Sequence, residues 1–314
     1  MSGLIGLDWG TTRLRAYRID DAGRVLAVRT QPWGIRNLPD GGFGAALAGI
    51  TAGWPMLPRV ACGMVGSRHG WLEVPYIDLP ASVDGLGAAA GRLRGPDGLD
   101  IHIVPGLRNA RGPDLMRGEE TQILGAIALQ PMLATRSHWI LPGTHSKWAT
   151  VDGGAVTDFR THMTGELFSL LWNHSILGTG ASDAPATPHA FERGVTAARD
   201  SGAQGMLGRL FSARSLMLDG ELAPGAVSEY LSGLLIGEEF RSALAGHRFR
   251  ADERFQLIGD AALCDRYRRT ATHFGITLQE PIIDAAAYGL WQVAGQIGLI
   301  HRHGRLAPGE FASC

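Results

Sequence analysis

The sequence predicts a two-domain α/β protein, and three observations carry that expectation. The chain opens on a meander of short apolar strands broken by a small-residue turn. The same layout returns near the middle, where Gly143-Thr144 stands as Gly10-Thr11 does in the first copy. Beyond residue 160 helical patterns dominate. At 314 residues the chain is long for one domain, and a repeat of such long period suggests two similar domains rather than a solenoid. The boundary is expected at Gln130-Pro131, giving domains 1–130 and 131–314.

The elements follow in order. Leu4-Ile5-Gly6-Leu7 is a continuous apolar run of buried-strand type, closed by Asp8 and the turn Gly10-Thr11-Thr12. Leu14 and Ala16 alternate with Arg13 and Arg15, the period of a half-buried strand. Asp20-Asp21-Ala22-Gly23 is a turn before a third strand over 25–28. A helix over 119–129 starts on two acids, which suit the positive end of its dipole. Ile123, Leu124, Ile127 and Ala128 give it an apolar face. The second meander takes 139–141, 148–151 and 155–161, with Asp152-Gly153-Gly154 as its hairpin turn. Pro188 and Pro224 fit first turns of helices. A strand over 255–258 leads through Gly259-Asp260 into a helix ending near Phe274, and an Ala-rich helix spans 284–297. His301-Arg302-His303 reads as a solvated terminal segment.

Composition excludes several function classes. Hydrophobic residues make up 45% and charged residues 19%, which is globular rather than disordered. A net charge of -1 argues against a nucleic-acid coat or a polybasic membrane binder. No apolar run approaches the ~20 residues of a membrane span. Three scattered cysteines fit a reduced, cytoplasmic setting better than a disulfide framework or a zinc site. Lys147 is the only lysine among 29 basic residues. A compact ammonium is poorly replaced by guanidinium where one phosphate must be met at close range, so Lys147 is a candidate functional cation.

Five segments offer chemistry, and each has a plainer structural reading. Asp8-Trp9-Gly10-Thr11-Thr12 can hold magnesium through Asp8 and wrap a phosphate with the turn, or be an ordinary polar hairpin. Gly143-Thr144-His145-Ser146-Lys147 is a second candidate cradle without Walker A spacing. Glu119-Glu120 can take a proton from an attacking hydroxyl, or merely complement a helix N-terminus. Ser67, Arg68, His69, Trp71 and Glu73, interleaved with glycines, suit recognition of an anionic polyol, or a surface loop over a buried Trp. Thr164 and Glu166 open a helix and either line a site or cap it.

The order of these motifs resembles the sugar kinase, actin and heat-shock ATPase superfamily. Within it the chain is most similar to kinases of 2-dehydro-3-deoxygalactonate. The matching segments are GLDWGTTRLRAY (6–17), GMVGSRHGWLEVPY (63–76), MRGEETQILGA (116–126), LPGTHSKW (141–148), THMTGELF (161–168) and IGDAALCDRY (258–267). The resemblance implies two ribonuclease H-like domains with an interdomain cleft, the actin-like ATPase fold. It implies ATP-dependent phosphorylation of the sugar acid at its 6-hydroxyl, in galactose and galactonate catabolism. Magnesium would face Asp8. ATP would meet Gly10, Thr11, Thr12, Gly143, Thr144, Ser146 and Lys147, with Gly259 and Asp260 beside the nucleoside. Related kinases usually carry an aspartate where this chain has Glu119-Glu120; Glu120 is preferred because Thr121 follows it. The sugar acid would meet Ser67, Arg68, His69, Trp71, Glu73, Thr164 and Glu166. Small molecules are the expected partners, not nucleic acid or membrane, with a homodimer allowed. The rival readings are a kinase of another sugar acid such as 2-dehydro-3-deoxygluconate, a phosphatase or ATPase, and a nucleotide-binding regulator without catalysis.

Overall fold

Short apolar runs ended by glycine, proline or acidic turns build the strands. The computed structural model describes residues 3–182, 189–246 and 249–300. Pro188 and His301-Arg302-His303 lie outside the described residues. The first meander is β1 (Leu4–Trp9), β2 (Leu14–Ile19) and β3 (Val25–Gln31), as expected. After α1 (Gly42–Ile50), β4 (Arg59–Gly63) is buried throughout, as suits an interior parallel strand. Then come β5 (Ile77–Asp78), β6 (Ala81–Ser82), α2 (Val83–Ala88), β7 (Gly91–Arg94) and β8 (Asp100–Ile103). β9 (Leu107–Asn109) and β10 (Asp114–Met116) lead into the acid-led helix α3 (Glu119–Leu129). The second meander is β11 (Arg136–Leu141), β12 (Ser146–Asp152) and β13 (Ala155–His162). Four helices follow: α4 (Thr164–His174), α5 (Ala190–Arg199), α6 (Ser212–Leu218) and α7 (Val227–Ala245). Pro224 opens a short 3-10 turn that runs into α7. β14 (Arg254–Leu257), α8 (Ala261–His273), β15 (Thr277–Leu278) and α9 (Ala285–Gln296) complete the order.

The chain divides into two compact units. Unit 1 takes the described residues up to Ser137, then Ala149–Phe159, then Ile283 onward; unit 2 takes His138–Trp148 and Arg160–Ile282. A single cut at residue 130 would leave α9 with the second half, but α9 belongs to unit 1. The reason is local packing. A Cβ on Gly125 of α3 would sit 1.7 Å from the Ala285 carbonyl oxygen, and one on Gly289 of α9 would sit 1.9 Å from that of Thr121. The two helices therefore cross backbone to backbone, which only paired glycines permit.

Unit 1 is built on a sheet of order β3-β2-β1-β4-β8-β7. β1, β2 and β3 are antiparallel neighbours, while β1, β4 and β8 run parallel. α9 packs on β1 and β4. The core gathers Leu7, Trp9, Leu14, Leu47 and Ile103, with Phe43 and Trp71 packed against them. In unit 2 the strand order is β15-β14-β11-β12-β13, with β11, β14 and β15 parallel. The tip of the β12–β13 hairpin counts with unit 1, where Ala155 and Val156 pair with β6. Trp148, Phe240, Phe249 and Phe255 form an aromatic core in unit 2. Among the described residues no helix is long and apolar enough to cross a membrane.

Candidate active site

In unit 1 three element ends meet through glycine. Gly63, at φ 87°, closes β4 with its Cα hydrogens toward Trp9 at the end of β1; a Cβ there would lie 2.7 Å from the Trp9 carbonyl oxygen. Gly118, at φ 111°, opens α3 against Gly63. Both conformations penalise side chains. The result brings Asp8 on β1 and the acidic start of α3 into one electrostatic neighbourhood. Burial first, and then the Glu119 charge, hold the Asp8 carboxyl above its usual range against the opposing pull of Arg15. The Cys62 thiol points at Asp8 (3.9 Å) and is itself pushed well up by burial. The turn beyond Asp8 is fixed by the Gly10 N–H donating to Arg13 and by residues 35 and 36 donating to the Gly10 and Thr11 carbonyls.

The two glutamates have different environments. Glu120 is 0% exposed; its Oε2 accepts from the Gly118 N–H (2.7 Å) and its Oε1 from the Thr121 hydroxyl (2.9 Å). Burial, then the neighbouring Glu119 charge, raise its pKa to about 7. The threonine that favours Glu120 in the sequence thus occupies one of its oxygens. Glu119 is only half-buried, with Oε2 accepting from the Arg117 N–H (3.0 Å).

The expected recognition loop splits by exposure. Arg68, His69 and Glu73 are exposed, while Ser67 is buried. Trp71 does not point outward. It stacks on Phe43 (5.4 Å, 13° between planes) and meets Trp9 edge-on, so it anchors the loop to the core. Arg117 carried no role in the sequence reading. It is 8% exposed, donates from Nη2 to the Val74 carbonyl (2.7 Å) and lies 4.2 Å from the Tyr76 ring centroid, so it clamps the far end of this loop.

Unit 2 holds a cavity of about 370 Å³. Gly143, Thr144, Thr164 and Gly165 line one part, and Leu235, Ile236, Leu263, Arg266 and Tyr267 another. α4 is pressed onto the Gly143-Thr144 turn. A Cβ on Gly165 would sit 2.6 Å from the Gly143 oxygen, and the Glu166 N–H donates to Thr144 (3.0 Å). Glu166 pairs with His145 (2.5 Å) at the surface.

Ser146 and Lys147, expected at phosphate, and Gly259 and Asp260, expected beside the nucleoside, do not line this cavity. Ser146 is fully buried and donates to Glu239 (2.7 Å). Lys147 is 3% exposed, and its ammonium donates to the His145 carbonyl (2.9 Å). Neither lines the cavity; both sit in the strand behind the turn. Asp260 caps α8 by accepting from the Ala262 N–H (3.1 Å), and Gly259 packs near Pro142 and Cys264. The sequence reading missed the α7 and α8 residues, including the Glu229–Arg266 ion pair at the cavity wall.

Glu239, also missed, is 2% exposed on α7. Besides Ser146, the Trp148 indole N–H (2.8 Å), the Thr164 hydroxyl and the Tyr267 hydroxyl (2.6 Å) donate to it. Burial and the Glu239 charge push the Tyr267 phenol well up, which keeps it a donor.

Comparison with known proteins is consistent across sequence and structure. The family model of 2-keto-3-deoxy-galactonokinase matches residues 8–293. A 2-dehydro-3-deoxygalactonokinase of Escherichia coli K12 is 39% identical over 277 residues, covering 86% of this chain and 90% of the relative. A Rhizobium meliloti protein described by the same activity is 37% identical over 303 residues, covering 91% and 96%. A crystal structure from Sinorhizobium meliloti, described likewise, superposes with a TM-score of 0.83 at 36% identity and covers 94% and 99%. Component A of the (R)-2-hydroxyglutaryl-CoA dehydratase of Acidaminococcus fermentans, at 14% identity and TM-score 0.54, covers 94% of this chain and 96% of its own and shares the fold.

Proposed function

The chain belongs to the 2-keto-3-deoxy-galactonokinase family, and from that premise we propose how its residues transfer a phosphoryl group. It is an ATP-dependent sugar-acid kinase that phosphorylates 2-dehydro-3-deoxy-D-galactonate at the 6-hydroxyl. Its fold is that of the sugar kinases and actin-like ATPases. We assign the reaction to the cytoplasm, where ATP is supplied.

The cavity in unit 2 carries the nucleotide assignment. Its apolar stretch of Leu235, Ile236 and Leu263 suits a nucleobase. The Gly143-Thr144 turn suits phosphate, because nothing lies within 4 Å of where a Gly143 Cβ would point and the backbone can be approached closely. Ser146 and Lys147 support this turn from behind rather than touching phosphate.

Asp8 fits magnesium. Burial and the Glu119 charge hold its carboxyl up against the pull of Arg15, so a cation that meets both carboxylates would relieve their repulsion. Among the described residues no group of three or more His, Cys, Asp or Glu is placed to hold a metal. Magnesium does not need one, since it binds through one or two carboxylates and substrate phosphates while keeping its waters. Bound magnesium would supply neutralisation of phosphate charge.

Glu119 orients the sugar 6-hydroxyl and accepts its proton as the hydroxyl oxygen attacks the γ-phosphorus. Glu120, buried beneath it, keeps the start of α3 in place. Arg68, exposed on its loop, meets the sugar-acid carboxylate.

ADP release tests this reading. With ATP and magnesium, turnover is expected with the galactonate form, and at least tenfold less with its gluconate epimer or with no acceptor. Equal rates on both epimers would remove the substrate assignment. Equal rates with and without acceptor would replace kinase by ATPase.

A further inference from the structure

One buried carboxylate ties together the walls of the unit 2 cavity. Glu239 on α7 accepts four side-chain hydrogen bonds: Ser146 and Trp148 of β12 on Oε1, and Thr164 of α4 and Tyr267 of α8 on Oε2. A carboxylate has about four acceptor positions, so this one is saturated. Saturation is what allows a charge to stay buried. Thr164 and Tyr267 themselves line the cavity, and α7 adds Ser232, Leu235 and Ile236 to it. β12 carries the strand that begins directly after the Gly143-Thr144 turn. We propose that Glu239 is the positioning residue of the nucleotide site, fixing the phosphate turn, α4 and α8 at one mutual spacing.

The inference rests on the nucleotide reading of the cavity. It also has a polarity consequence. The protons of the Ser146, Thr164 and Tyr267 hydroxyls are committed to Glu239, so on the cavity side Thr164 and Tyr267 present acceptor lone pairs only. An anion is disfavoured there, and the phosphates are directed to the backbone N–H groups of the Gly143-Thr144 turn.

Glu239→Gln keeps the shape but brings two N–H donors where only acceptors stood, so at least one hydroxyl must turn away. Expected results are an ATP KM raised at least tenfold, a sugar-acid KM within twofold of wild type, and kcat within about threefold. A merely structural residue would move both KM values together. Ser146→Ala, a smaller change outside the cavity lining, is expected to raise the ATP KM about threefold. The double variant Ser146→Ala/Glu239→Gln is expected to be no worse than Glu239→Gln alone, because both act through one network. Additive losses would mean that Ser146 meets phosphate itself, and would overturn the proposal. Unchanged ADP binding by calorimetry in Ser146→Ala and in any folded Glu239→Gln would overturn it as well. If Glu239→Gln does not fold, Ser146→Ala decides: a selective ATP effect supports the proposal and its absence overturns it. Leu263→Trp narrows the cavity without touching Glu239. Weaker ADP binding in that variant upholds the nucleotide reading, and unchanged binding overturns that reading and the inference with it.

Discussion

Glu119→Gln is expected to lower kcat by about two to four orders of magnitude while leaving both KM values within a few-fold. Glutamine keeps an oxygen to accept from the Arg117 N–H, as Glu119 does at 3.0 Å, so the start of α3 is preserved. What disappears is the carboxylate to which the proposed mechanism gives the hydroxyl proton, and a positioned general base contributes about 10² to 10⁴-fold. At about 1.4 kcal/mol per decade this is about 3 to 6 kcal/mol of barrier. Glu120 is not expected to take over. Its carboxyl is 0% exposed and both oxygens already accept from its own helix start. Steady-state kinetics with saturating ATP measures the loss; a kcat within tenfold of wild type would remove Glu119 from the chemistry.

Glu120→Gln is expected to act on stability, with a sign fixed by pH. The Glu120 pKa lies at about 7 in the folded chain, raised from 4.5 by burial and by the Glu119 charge. The folded state therefore holds a proton that the unfolded state has released. That contribution to stability is fully present below pH 4.5 and is lost as pH rises to about 7. The loss amounts to about 3 kcal/mol, from about 1.4 kcal/mol per pH unit over the shift. The substituted glutamine does not titrate and accepts the same Gly118 N–H. Urea unfolding at pH 4.5 and 7.5 is expected to show the variant gaining on wild type by about that amount at the higher pH. A difference independent of pH would show that Glu120 titrates alike in the folded and unfolded chain, and would remove the raised pKa.

Much of this framework is legible in the sequence because local patterns determine it. The first meander, the acid-led helix α3 and the Asp260 cap of α8 follow from periodicity and capping chemistry. The same is true of the two turns at Gly10 and Gly143. Features that depend on distant residues were not legible. Glu239 lies 93 positions from Ser146, and nothing along the chain links the two. Lys147 stood out because it is rare, but rarity carries no direction, and its ammonium turns back to the His145 carbonyl. For Trp71 the plainer of the two sequence readings holds, since its large apolar surface is drawn onto Phe43 and Trp9; only the identity of those partners was out of reach. α9 follows unit 2 in sequence but packs on α3, because Gly125 and Gly289 match across the crossing.

The sugar-acid kinase assignment is tested most directly by the identity of the phosphorylated product. Proton-coupled phosphorus NMR of the reaction with ATP, magnesium and 2-dehydro-3-deoxy-D-galactonate reads it in one tube. One monoester is expected, with its phosphorus coupled to the two protons on carbon 6, formed in equal amount to ADP and without inorganic phosphate. Inorganic phosphate in step with ADP, or an ester on another carbon, would contradict the assignment.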